Sequence, residues 1–78
     1  MPDVRERLTT CFLAVFPDLT TGEVERAGVD RTAAWDSVAT TTLAAVVEEE
    51  FGIQFEPQAI EKLDSFQAFL SALCKRRL

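Results

Sequence analysis

The sequence predicts an all-α domain: a small bundle of three main helices and one short one, with a long loop after the first helix. Three observations carry this. Apolar residues recur at helical spacing in separate stretches, and no stretch alternates apolar with polar as a half-buried strand would. Capping and stop residues stand at the ends of those stretches. A length of 78 residues leaves room for one domain, residues 1–78, with one modest core.

In the first segment, Val4, Leu8, Cys11, Phe12 and Val15 share one face of a helix of period 3.6. Asp3 is placed as its N-cap, with Glu6 at the capping-box position, and Pro17 stops it at about Phe16. Residues 17 to 36 form a long connection. Pro17-Asp18 and Thr21-Gly22 are turn chemistry, and Thr20 with Glu23 caps one short turn ending near Gly28. Leu19, Val24 and Val29 are spaced to pin this loop to a core.

The second helix is expected from 37 to about 51, with Asp36 and Ser37 as candidate caps and Gly52 as its stop. Leu43, Val46, Val47 and Phe51 form its buried stripe, whereas Thr40, Thr41 and Thr42 weaken its helix propensity. Glu48, Glu49 and Glu50 put negative charge at the end where the helix dipole disfavours it, so something besides helix stability is expected to keep them there. Phe55 and Pro57 open the short third helix, with Ile60 and Leu63 facing inward. Asp64 is placed to cap the last helix, with Gln67 at its capping-box position. Phe66, Phe69, Leu70 and Leu73 form its apolar stripe, and Lys75, Arg76 and Arg77 complement its dipole.

Composition narrows the function. The chain has no His, so neither a Ser-His-Asp nor a Cys-His triad can be built, and two Cys cannot complete a structural zinc site. A net charge of −5 argues against nucleic acid as the main partner. The start, MPDVRERL, carries charge where a signal peptide is apolar. The longest apolar run, Cys11 to Phe16, falls far short of the roughly 20 residues that span a bilayer. A cytoplasmic, monomeric module that is not an enzyme and holds no metal is expected. Cys11 and Cys74 are read as two reduced, partly buried thiols, or alternatively as a disulfide joining the first and last helices.

The stretch that carries chemistry is Trp35-Asp36-Ser37-Val38, at a helix start after the long loop. A serine hydroxyl there sits by the positive end of the helix dipole, which suits a covalently attached phosphate. Its plainer reading is an ordinary cap. Trp35 either packs the loop onto the bundle or touches a partner. The three glutamates either form a solvated face or meet basic partners.

The stretch WDSVATTTLAAVVEEEFGIQF resembles the core of an acyl carrier protein. In that family an Asp-Ser-Leu motif opens the second helix. An acidic run, a Phe, a short loop and an apolar anchor follow at fixed spacing. Asp36-Ser37-Val38, Glu48-Glu49-Glu50-Phe51 and Phe55 match without a gap, and the apolar positions from Ile60 to Leu73 continue in register. The resemblance covers essentially the whole chain. It implies the four-helix carrier-protein bundle, with 4′-phosphopantetheine attached to Ser37 by a phosphopantetheinyl transferase using coenzyme A and magnesium. Asp36 would be its motif neighbour. The carrier would catalyse nothing and would shuttle thioesters among enzymes such as a ketosynthase, an acyltransferase or a ligase.

Trp35, Val38, Glu48 and Glu49 are the docking residues this implies. Leu43, Val47, Ile60 and Leu63 are candidates for an acyl pocket. The sequence also departs from the family. Ala39 and Thr42 stand where fatty-acid carriers are acidic, and Ala44 and Ala45 replace bulkier exposed aliphatics. Ala34-Trp35 replaces the Gly-Gly common in peptidyl carriers. Polyketide or other specialised acyl chemistry is therefore expected. A free-standing aminoacyl or peptidyl carrier is the alternative within the family, and an unmodified helical interaction module the alternative outside it.

Overall fold

Leu8, Cys11 and Phe12 give the first helix a single buried face, and the rest of the chain is arranged around it. The computed structural model describes residues 3–76. Its elements are α1 (Val4–Val15), α2 (Thr21–Val24), α3 (Ser37–Phe51), α4 (Pro57–Ile60) and α5 (Phe66–Lys75), the all-α bundle expected. The short turn at Thr20 counts as a helix of its own. α1 packs against α2, α3 and α5, while α4 rests on α3. Among the described residues no helix is long and apolar enough to cross a membrane.

Phe12 lies at the centre of the core. Its ring meets Phe66, Trp35 and Phe69 at centroid distances of 5.2, 5.4 and 5.5 Å, each in the edge-to-face manner that aromatic quadrupoles favour. Leu8, Val24, Leu43, Val47 and Leu73 close the core around these rings.

The ends of the helices follow local chemistry. Asp3 accepts the Glu6 N–H to cap α1. Thr20 and Glu23 form a full capping box on α2, and the backbone N–H donated by Thr20 holds the Glu23 carboxyl below the usual carboxylate range. α3 ends on Gly52 in the left-handed region at φ 66°, with its N–H returned to the Glu48 carbonyl. Within α3 each of the three threonine hydroxyls donates to the carbonyl four residues back, Thr40 to Asp36, Thr41 to Ser37 and Thr42 to Val38, which satisfies the hydroxyls while packing elsewhere holds the helix.

The long loop is tied down by backbone. Val29 N–H donates to the Asp64 carbonyl at 3.0 Å, and Phe66 N–H donates to the Ala27 carbonyl at 3.1 Å. Gly28 sits between them, and a Cβ there would lie 3.3 Å from the Asp64 carbonyl oxygen.

Several expectations are corrected. Ser65, not Asp64, caps α5, accepting from Ala68 N–H at 3.0 Å. Gln67 reaches the Glu25 carbonyl instead of closing a capping box. Val29 is pinned by its backbone N–H while its side chain is 47% exposed, so it is no apolar anchor. Ala44 is buried, since α3 turns that residue toward α1 rather than solvent, and Ala45 is exposed. Val46 and Phe51 are only half-buried. Lys75 lies in the last turn of α5, Arg76 stacks over the Phe55 ring at 5.2 Å, and Arg77 lies outside the described residues.

Both thiols are free. Cys11 is buried and Cys74 exposed rather than partly buried. Burial, reinforced by the Glu50 carboxylate, pushes the Cys11 thiol up to about 11. Iodoacetamide at about pH 8 is therefore expected to label Cys74 and to spare Cys11 until denaturant is added. Peptide mass mapping checks this, and equal labelling of both in the folded protein contradicts the packing of α1.

Candidate functional site

The site is built at the start of α3. Asp36 has extended backbone geometry, and its carboxylate accepts the Ala39 N–H at 2.8 Å, so Asp36 is the cap. Ser37 is thereby released from capping and becomes the first helical residue. It is exposed, beside the unpaired N–H groups of the first turn. Val38 follows at 71% exposure, the most open large apolar side chain among the described residues.

Trp35 is corrected as a docking residue. Its indole is 4% exposed and lies among Phe12, Phe16 and Phe69, because the loop before α3 turns it into the core. Its Nε1 donates to the Thr40 hydroxyl at 2.6 Å.

A groove of about 480 Å³ opens beside Ser37. Val29, Ile60 and Leu63 form part of its lining, together with Thr41 and the exposed Glu61 and Asp64. It brings together Ser37 with two of the four pocket candidates. The other two, Leu43 and Val47, are fully buried core residues and do not line it. A wider groove of about 550 Å³ lies over the first loop between Phe16 and Arg31, and Ser37 is not part of it.

Sequence reasoning missed Val29, Thr41, Glu61 and Asp64 as neighbours of the serine. For Thr41 a signal was present: it stands four residues after Ser37 and so shares its helix face. For the other three the signal lies in long-range packing, which no local pattern encodes.

The acidic run divides into three roles. Glu48 is half-buried, and its carboxylate accepts the Phe55 N–H at 2.7 Å, holding the turn after α3. Arg7 donates to the Glu50 carboxylate at 3.0 Å and to the Glu50 carbonyl at 2.7 Å, while its guanidinium lies 4.3 Å from the Phe51 ring centre. It thus satisfies a carbonyl at the end of α3 and neutralises a charge there. Glu49 is exposed. Two of the three acids thus serve the fold, which answers why they tolerate an unfavourable dipole. Glu48→Ala is expected to lower stability by about 1–3 kcal/mol, since it strands a partly buried N–H. Glu49→Ala is expected to stay within about 0.5 kcal/mol. Thermal or urea denaturation of the two variants checks the contrast.

No family model, curated protein or solved structure matches the chain.

Proposed function

We propose that the chain is an acyl carrier protein that takes 4′-phosphopantetheine on Ser37 and serves polyketide or other specialised acyl biosynthesis. The observation that carries this reading is the Ser37 hydroxyl: exposed at the first turn of a 15-residue helix, freed from capping by Asp36, and bordering a groove. The residues present suit the group. A phosphodiester on Ser37 would sit at the positive end of α3. When bound, the arm supplies a thiol that holds acyl groups as thioesters. The half-buried Ile60 offers apolar surface beside it, backed by the buried Leu63.

Val38 and Glu49 are exposed on α3 and remain as docking residues for the transferase and for acyl-processing enzymes. Ala39 and Thr42 add no charge near the serine, so dependence on basic partner patches is expected to be weaker than for an acidic helix.

The test is direct. The protein is incubated with coenzyme A, magnesium and a broad-specificity phosphopantetheinyl transferase, and intact mass is measured. Addition of one phosphopantetheine is expected, and an unchanged mass defeats the reading.

One observation favours the aminoacyl subtype as a second reading. Asp36, Glu61 and Asp64 border the groove, and among the described residues no Lys or Arg lines it. Such a rim suits an ammonium-bearing acyl group better than a carboxylated one. NMR shifts at Glu61 and Asp64 are then expected to be larger for an α-amino acyl arm than for the same arm without the amine. Equal shifts remove this second reading.

A further inference from the structure

The Ser37 turn is linked to the core by side-chain hydrogen bonds. An indole N–H can only donate, so Thr40 Oγ1 must receive Trp35 Nε1 on a lone pair at 2.6 Å. That leaves the Thr40 proton for the Asp36 carbonyl oxygen, 3.2 Å away. The same carbonyl accepts the Thr40 N–H at 3.0 Å, and the Asp36 carboxylate accepts the Ala39 N–H at 2.8 Å. Both polar ends of Asp36 are therefore bound to the first turn of α3.

Trp35 in turn has little freedom to move. Its ring lies 5.4 Å from Phe12 and 5.5 Å from Phe16, and its own N–H donates to the Thr32 carbonyl at 2.9 Å. Thr41 and Thr42 make the same backward hydrogen bond as Thr40, but no indole reaches them. Thr40 alone of the three joins the helix start to the aromatic core.

We propose that Trp35 and Thr40 are positioning residues for Ser37. The chain of bonds runs from the aromatic core through the indole N–H and the Thr40 hydroxyl to the Asp36 carbonyl. It fixes the peptide that leads into Ser37, and with it the direction in which the serine hydroxyl projects. A hydroxyl held in one direction reacts without first ordering its turn. The proposal rests on the reading of Ser37 as the acceptor of phosphopantetheine.

The test uses Thr40→Val, which keeps the shape and removes the hydroxyl, Thr40→Ser, which restores it, and Trp35→Phe, which removes the N–H donor. Two measurements are made on each: amide and indole hydrogen exchange by NMR, and the kinetics of arm transfer from coenzyme A by a broad-specificity transferase with magnesium. In T40V, exchange at Ala39 and Thr40→Val N–H and at the indole N–H is expected to rise, while exchange in α5 stays as in the native protein. The kcat for transfer is expected to fall about fivefold in T40V and in W35F, with KM within about twofold, from the loss of about one net hydrogen bond. The double variant is expected to be little slower than either single one, since both break the same link. T40S is expected to recover the native rate.

Unchanged exchange in the first turn of α3 overturns the link itself. Raised exchange with an unchanged kcat overturns its role in positioning Ser37. No transfer to the native protein overturns the carrier reading, and the positioning role with it. The exchange data tell that failure apart from a failure of the link.

Discussion

Ser37→Ala is expected to take up no phosphopantetheine where the native protein takes up one. The loss should be complete, because the substitution removes the acceptor oxygen and leaves its surroundings in place. Asp36 holds the helix cap through Ala39 N–H, so the start of α3 does not depend on the serine side chain. Ala is at ease in a first helical turn. Stability should accordingly remain within about 0.5 kcal/mol of the native value. Other hydroxyls are poorly placed to substitute. Ser65 Oγ is engaged as the cap of α5, and Ser71 lies within α5, away from any helix start. Intact-mass measurement after transferase treatment, with a thermal melt of the same sample, checks both halves. An adduct that persists in the variant moves the site elsewhere, and an adduct lost together with the fold leaves Asp36 as an inadequate cap.

Phe12→Ala is expected to cost about 3–5 kcal/mol, the usual range for deleting a buried aromatic ring. The ring is 0% exposed and meets Phe16, Trp35, Phe66 and Phe69, so four aromatic contacts from three parts of the chain are lost at one position. A small domain has a total stability of only about 0.05–0.15 kcal/mol per residue. The melting temperature should fall by about 12–40 °C, since each kcal/mol shifts a domain of this size by about 4–8 °C. Phe12→Leu fills most of the space and should lose much less. Thermal unfolding followed by circular dichroism measures both, and a shift of only a few degrees in F12A would show that α1 is not the centre of the core. The effect should reach the site as well, because Phe12 supports the indole that is joined to Thr40.

The acidic run shows where reading the chain by itself misleads. Glu48, Glu49 and Glu50 are alike in sequence, yet one holds a turn, one is exposed and one is clamped by Arg7. Arg7 lies 43 residues away along the chain, and its partner is set only when α1 lies across the end of α3. The unfavourable dipole at this end was legible as an anomaly. Its resolution was not, because it needs a residue from another helix. Trp35 illustrates the same limit. Its neighbours mark it as part of a motif, but whether an indole beside a serine faces solvent or core depends on the space Phe12, Phe16 and Phe69 leave for it.

What the residues determined alone is what depends on near neighbours. Helix spacing, the box at Thr20 and Glu23, a cap at Asp36 or Ser37 and the stop at Gly52 all arise within four or five residues, where backbone geometry and short side chains leave few choices. The shift of the α5 cap from Asp64 to Ser65 is the exception that shows the rule, since the bond between Phe66 N–H and the Ala27 carbonyl sets where that helix begins. Tertiary structure decided the rest: that Leu43 and Val47 lie wholly in the core while Ile60 and the buried Leu63 also border the groove, that Cys11 and Cys74 stay apart in environment, and that the aromatic core is bonded to the turn bearing Ser37. Burial and long-range hydrogen bonds are properties of surfaces brought together, and a linear pattern supplies each surface without its partner.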